Sequence, residues 1–273
     1  MTDQFRPLPS QARVGGDVDE GTKAIGVICA IPEELAHLRD ILQDAISTVA
    51  GPMVFHRGLL DGYRVVLVGA GMGKVNAAAV TALLIHGFGC TDIVLSGVAG
   101  GLDPDLAIGD IVIADKVIQH DCGRIEDTEL VNYQPGHVSF INPTDELGYV
   151  VDPALLARVR ERVRAADMPA VPTAAGGRGG PPHIAFGTIL TGDQYIHCED
   201  TRTDLFRRFT AKAVEMEGGA VAQVCSAFGV PWLVIRALSD LAGRDSSFDF
   251  PMFVDSAAAT SAAVLRTILP VLR

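Results

Sequence analysis

Apolar runs of strand length recur along this chain, most of them followed by a segment of helical period. Residues 24–30 (AIGVICA) form the first run and read as a buried strand. Pro32 then suits a first helical turn, and Glu33 and Glu34 suit a helix N-terminus. Leu35, Leu38, Ile41 and Leu42 keep one apolar face through that helix. Residues 54–60 and 63–69 predict a hairpin around Asp61-Gly62. An Ala-rich helix follows at 74–86, then a strand at 92–96 ending in a glycine turn over 97–101, and a strand at 110–117. Helices are expected at 153–165, 217–228 and 251–272, and strands at 184–190 and 232–237. Strands separated by helices imply an α/β domain, a three-layer α/β/α sandwich, and the early hairpin makes its central sheet mixed. One domain is expected over 23–273, behind a loose N-terminal tail at 1–22.

Composition excludes several function classes. Hydrophobic residues make up 48%, which rules out disorder of the whole chain. Lys plus Arg is 22 against 33 Asp plus Glu, a net charge of −11, so non-specific binding to nucleic acid or to an anionic membrane surface is not expected. The five cysteines are scattered without a CxxC, which argues against a disulfide framework and a thiolate zinc site. No basic segment followed by an apolar one opens the chain, so no signal peptide is read. Gln223, Ser226, Gly229 and Pro231 break the most apolar stretch, 218–235, which reads as a buried helix and strand rather than a membrane span. The expected setting is the cytoplasm.

Ligands in open α/β sheets lie beyond the carboxyl ends of the strands, so the residues after each apolar run matter most. Glu33 and Glu34 follow the first run, Glu215-Met216-Glu217 opens a helix, and Ser239-Asp240 follows the run at 232–237. Carboxylates converging there could supply a base, a hydroxyl ligand and an acid. Taken singly, each also fits a solvated acid at a helix start. The glycine segment 69–74 (GAGMGK) fails the phosphate-loop spacing at Val68 and Val75 and the dinucleotide pattern at Lys74, so it reads as a tight strand-to-helix turn. The segment 168–182, with Arg178 among glycines, reads as a surface loop, and 120–152 as a long, partly ordered excursion. Only His120-Asp121 pairs a histidine with a carboxylate, and no metal site is expected.

Six motifs in a fixed order carry a resemblance. They are IGVICAIPEE (25–34), GAGMGKVNAA (69–78), SGVAGGLDPDLAIGDIVIAD (96–115), TGDQYI (191–196), AVEMEGGAVAQVC (213–225) and RALSDLAG (236–243). With them the chain resembles the purine nucleoside phosphorylase/nucleosidase superfamily, most of all the methylthioadenosine/S-adenosylhomocysteine nucleosidases. The resemblance implies cleavage of the N-glycosidic bond of a purine nucleoside with no cofactor and no metal. It implies Glu34 as the base that activates water, Glu217 as the carboxylate gripping the ribose hydroxyls, and Met216 packing on the sugar. Asp240 would protonate, or hydrogen-bond, the purine's imidazole-ring nitrogen, with Ser239 orienting it. Tyr195 would stack on the base and the Ile196 backbone would read the purine edge. Phe248 would line the pocket for the 5′ substituent, and Pro135 would reach the neighbouring subunit's site in a homodimer.

Hydrolase and phosphorylase differ in what must be bound. A phosphorylase needs cations around phosphate, usually arginines. The bacterial phosphorylases of this superfamily carry one just before the SGVAGG-like turn and another after the first strand, where this chain has Leu95 and a segment ending in Glu34. An acid there repels phosphate and suits water, so hydrolysis is expected. Val98 replaces a serine usual in the nucleosidases, and Ile31-Pro32 replaces a more typical Met-Glu. Three alternatives stay open on these residues: a phosphorylase, a hydrolase of futalosine-type nucleosides, and a non-catalytic nucleoside-binding protein. Retention of Glu34, Glu217 and Asp240 together argues against the last.

Overall fold

A computed structural model describes residues 23–138 and 140–272; the expected tail at 1–22 lies outside the described residues. The chain opens with β1 (Ala24–Cys29), α1 (Pro32–Arg39), β2 (Gln43–Ala50), β3 (Met53–Leu60), β4 (Tyr63–Gly69) and α2 (Lys74–Ala82). After α2 a wider π turn, Leu83–Gly87, completes the expected helix. Then come β5 (Cys90–Gly101), β6 (Ile111–Gln119), β7 (Gly123–Glu126), β8 (Glu129–Asn132), β9 (Tyr149–Val150) and α3 (Pro153–Arg164). The chain ends with β10 (Ile184–Thr191), α4 (Glu199–Phe209), β11 (Ala213–Glu215), α5 (Gly218–Phe228), β12 (Trp232–Asp240) and α6 (Ser246–Ile268).

The fold is α/β with a mixed sheet, ordered β11-β10-β6-β12-β5-β1-β4-β3-β2. β1 lies parallel between β4 and β5, with Val27 opposite Leu67 and Val94. β12 runs parallel to β5 but antiparallel to β6. β11 pairs with β10 on one side and with β5 on the other, so β5, β12, β6, β10 and β11 close on themselves. Every residue of β12 is buried, as a strand covered on both faces requires. α2 packs on α5, which lies against β6, β10 and β12, while α6 lies on β12 and β5 with α1 and α3 beside it. Ser246–Val271 is long and apolar enough to cross a bilayer, yet Val254, Ala257, Ala258, Ser261, Leu265 and Ile268 are buried, as in a core helix.

Four local expectations change. The glycine-rich 97–101 is the second half of β5 rather than a turn, because β12 and β11 supply its ladder partners. β2 and α4 were not expected: both are mostly exposed, with Leu205 the buried residue of α4, so they show little apolar period. α6 begins at Ser246, with Pro251 inside it, rather than at Pro251. The excursion 120–152 holds a β7–β8 hairpin and β9, which pairs with β6. In the glycine-rich loop, Arg178 donates to the Asp105 carbonyl at 3.1 Å and pairs with Asp110 at 3.3 Å, ties that are structural.

Candidate active site

One cavity opens beyond the carboxyl ends of β1, β5, β10, β11 and β12. Glu34 enters it from the first turn of α1 and is 3% exposed. Its Oε2 accepts from the backbone N–H groups of Ala30 (2.6 Å) and Ile31 (3.2 Å), which would otherwise lack partners at a helix start. Its Oε1 accepts from Val98 N at 2.8 Å. The approach needs Gly97: a Cβ there would overlap the Glu34 carboxylate and stand 2.5 Å from Arg236 Nη1. Burial raises the Glu34 pKa, against the opposing pull of Arg236 and these N–H donors.

Arg236 is the centre of the charge arrangement. It points from mid-β12 and is fully buried. Its Nη2 donates to Glu215 and, at 2.9 Å, to Glu217 Oε2, while Nη1 lies 3.8 Å from Glu34 Oε1. Burial alone would lower its pKa, but the charges of Glu215, Glu217 and Glu34 outweigh that and raise it. Nη1 and Nε have no hydrogen-bond partner among the described residues.

Glu217 ends the β11–α5 turn. Its Oε1 accepts from Gly73 N at 2.8 Å, so the glycine turn after β4 donates a backbone N–H to an acid far along the chain. Gly73 has φ +97°, a conformation open to glycine. Asp193 accepts from Lys74 N at 2.8 Å, and Lys74 Nζ pairs with Asp121 at 2.7 Å, which fixes that turn against the ends of β6 and β10. Burial, then the charges of Glu215 and Glu34, push the Glu217 pKa up to about 7 despite Arg236 and Gly73.

Asp240 ends β12 and is 3% exposed. Its Oδ1 accepts from Ala242 N at 2.8 Å, and the Ser239 hydroxyl lies 3.0 Å from its Oδ2. Burial raises its pKa, opposed by these two donors and helped by the charge of Asp249. A carboxyl of this kind can hold a proton for a leaving group.

The cavity brings together Glu34, Val98, Tyr195, Ile196, Met216, Glu217, Ser239 and Asp240. Tyr195 is half exposed and meets Phe250 edge-on, with ring centroids 6.2 Å apart. Phe248 is not on the cavity wall and is 65% exposed; Phe250 lines the wall instead. The early start of α6 explains this, since residues two apart on a helix point to different sides. Pro135 sits half-buried between β8 and β9, away from the lining. Met72, Gln194, Phe250 and Arg236 belong to the site but have no role in the sequence reading, and Glu215 appears there only among the strand-end acids, without a role of its own. Arg236 had a signal, a charge inside an apolar strand run, which requires a buried counter-ion. Among the described residues no three His, Cys, Asp or Glu side chains gather so as to hold a metal ion.

The model of the phosphorylase superfamily matches residues 24–270. The chain belongs to the phosphorylase superfamily. Within it, the 5′-methylthioadenosine/S-adenosylhomocysteine nucleosidase of Mycobacterium bovis is 58% identical over 248 residues, 91% of this chain and 97% of that protein. The solved structure of the corresponding nucleosidase from Colwellia psychrerythraea, in complex with adenine, superposes with a TM-score of 0.77 at 33% identity, covering 92% of this chain and 96% of that one. Futalosine hydrolase of Helicobacter pylori superposes with a TM-score of 0.77 at 29% identity, covering 92% and 99%. The phosphorylase-superfamily fold thus extends over nearly the whole described chain.

Proposed function

We propose that this protein hydrolyses the N-glycosidic bond of 5′-methylthioadenosine, S-adenosylhomocysteine or a related adenine nucleoside, releasing adenine. The observation that carries the reading is a cavity walled by Glu34, Glu217 and Asp240 in which, among the described lining residues, none is Lys or Arg. The nearby Arg236 faces Glu215, Glu217 and Glu34, whose negative charge opposes an incoming phosphate. In the reaction, Glu34 takes a proton from water as the water oxygen bonds to C1′. The C1′–N9 bond breaks, its electrons pass to the purine, and Asp240 supplies the proton that makes adenine a better leaving group. Glu217 accepts from the ribose hydroxyls, and its charge stabilises the cationic sugar of the transition state. Met216 packs on the sugar and Tyr195 on the base, the Ile196 backbone reads the purine edge, and Phe250 rather than Phe248 borders the remaining wall. No cofactor enters this scheme.

The test is adenine release from methylthioadenosine, followed by chromatography with and without phosphate. Free 5-methylthioribose at equal rates in both buffers is expected. A phosphate-dependent rate yielding the sugar 1-phosphate would show a phosphorylase instead. Glu34→Gln should lower kcat by roughly 10²–10⁴-fold, since the amide cannot take the water proton. An E34Q variant with near wild-type turnover would remove Glu34 from the base role. A futalosine-type nucleoside is the second reading, favoured by the likeness to futalosine hydrolase, and its rate in the same assay decides between them.

With this function we further propose a cytoplasmic protein of methionine salvage, acting as a homodimer whose partner brings its Pro135 loop to the site. Met72, which lines the cavity yet is exposed, and exposed Val75 in the first turn of α2 support a covering partner. Sedimentation at micromolar concentration gives the mass that tests it.

A further inference from the structure

We propose that Glu215 is a positioning residue for the reaction proposed above: it anchors Arg236 between Glu34 and Glu217 and does not itself bind the nucleoside. The inference rests on that reading of function. Glu215 lines the cavity, so by placement alone it could pass for a substrate ligand. Its oxygens are already occupied. Oε1 accepts from the Thr191 hydroxyl and from Gly218 N at 2.9 Å. Oε2 accepts from Gly218 N at 2.8 Å, from Glu217 N at 3.1 Å and from Arg236 Nη2. A carboxylate has about four lone-pair sites, and these donors take them.

The donors come from separate elements. Thr191 ends β10, Gly218 opens α5 with its N–H pointing at the acid, and Arg236 stands in β12. Thr191 is held in turn, since its hydroxyl accepts from Gly219 N at 2.7 Å. Glu215 is therefore fixed from three sides, and it fixes the guanidinium. With Nη2 shared by Glu215 and Glu217, the planar fork leaves Nη1 facing Glu34. The charged groups facing Glu217 are Arg236 from β12, Glu215 from β11 and Glu34 from α1. Removing the charge at 215 alters both the placement of Arg236 and the field at Glu217.

The test is the pH dependence of kcat and KM for Glu215→Gln beside the wild type, using methylthioadenosine and adenine release. The amide cannot pair with the guanidinium as the carboxylate does. The expected result is a fall in kcat of up to about 100-fold, the scale of a small misplacement of the reacting groups, with KM changed far less, and an acid limb moved to lower pH. The direction follows from sign: with one negative neighbour fewer, Glu217 ionises more readily. Unchanged kcat and acid limb would overturn the inference, and so would a fall in kcat with the acid limb unmoved, which is what a merely structural role gives. If Glu215→Gln does not fold, Thr191→Val and Thr191→Ser replace it. Valine removes one donor and should lower kcat, while serine keeps the hydroxyl and should restore it; equal kcat in both would overturn the inference. Wild-type protein that releases no adenine would defeat the reading of function. Wild-type turnover beside an unaltered E215Q variant defeats only this inference.

Discussion

Asp240→Asn is expected to stop adenine release while nucleoside binding persists. An amide can still accept from Ala242 N, and it can donate to Ser239 once that hydroxyl turns to the Ala99 carbonyl 3.4 Å away. The local structure is therefore kept, and what is lost is the proton for the departing purine. A positioned acid contributes roughly 10²–10⁴-fold, and kcat should fall by that factor. Calorimetric titration with a non-hydrolysable nucleoside should give an affinity within a few-fold of wild type. Near-normal kcat in D240N would remove Asp240 from the acid role. The wild-type pH profile follows from the same group. Burial raises the Asp240 pKa, so the proton is present below that pKa and activity falls as pH rises through it. Glu217 and Glu34 set the opposite limb, because activity falls as pH drops far enough to protonate either carboxylate.

Arg236→Met should produce the largest loss of stability. Methionine matches the guanidinium stem but leaves Glu215, Glu217 and Glu34 buried without their cation. Breaking a buried ion pair by removing one partner costs roughly 3–5 kcal/mol. Burial already raises the Glu34 and Glu217 pKa values against the pull of Arg236, so without the arginine they rise further and these two groups take up protons in the folded state. Stability held in that way is present at low pH and lost as pH rises through the folded values. The urea midpoint of R236M should therefore fall furthest below wild type near pH 8 and recover part of the difference near pH 5. A deficit independent of pH would mean the loss is one of packing rather than charge.

The sequence displays the elements that bury a continuous apolar strip, and these match the structure closely. β1, β4 and β10 lie where their apolar runs predict, because each is covered by helices or by neighbouring strands. β2 and α4 escape such reading because they present mostly solvated side chains. The second half of β5 escapes for another reason. Gly97, Gly100 and Gly101 signal a turn locally, and only the distant partners β11 and β12 make them strand. The same contrast holds in the site. Glu34, Glu217 and Asp240 are legible because acids follow apolar runs. The pairing of Arg236 with Glu215 is not, since nothing local says which acids a mid-strand arginine will meet. Phe248 and Phe250 differ only by helix phase, which depends on where α6 starts.

The double pairing of β11 has a consequence for how the site comes into being. This short strand, Ala213–Glu215, is the clasp that closes the curled end of the sheet, with Val214 opposite Leu190 on one side and Gly100 on the other. Glu215 and Glu217 sit at the clasp, so the carboxylates can gather around Arg236 only once chain segments far apart in sequence have met. Contacts of such separation form late and are slow to assemble. A partly opened sheet would therefore lose the clasp and the site in one event. Such a molecule would be inactive rather than impaired, and the buried charges would return to water together.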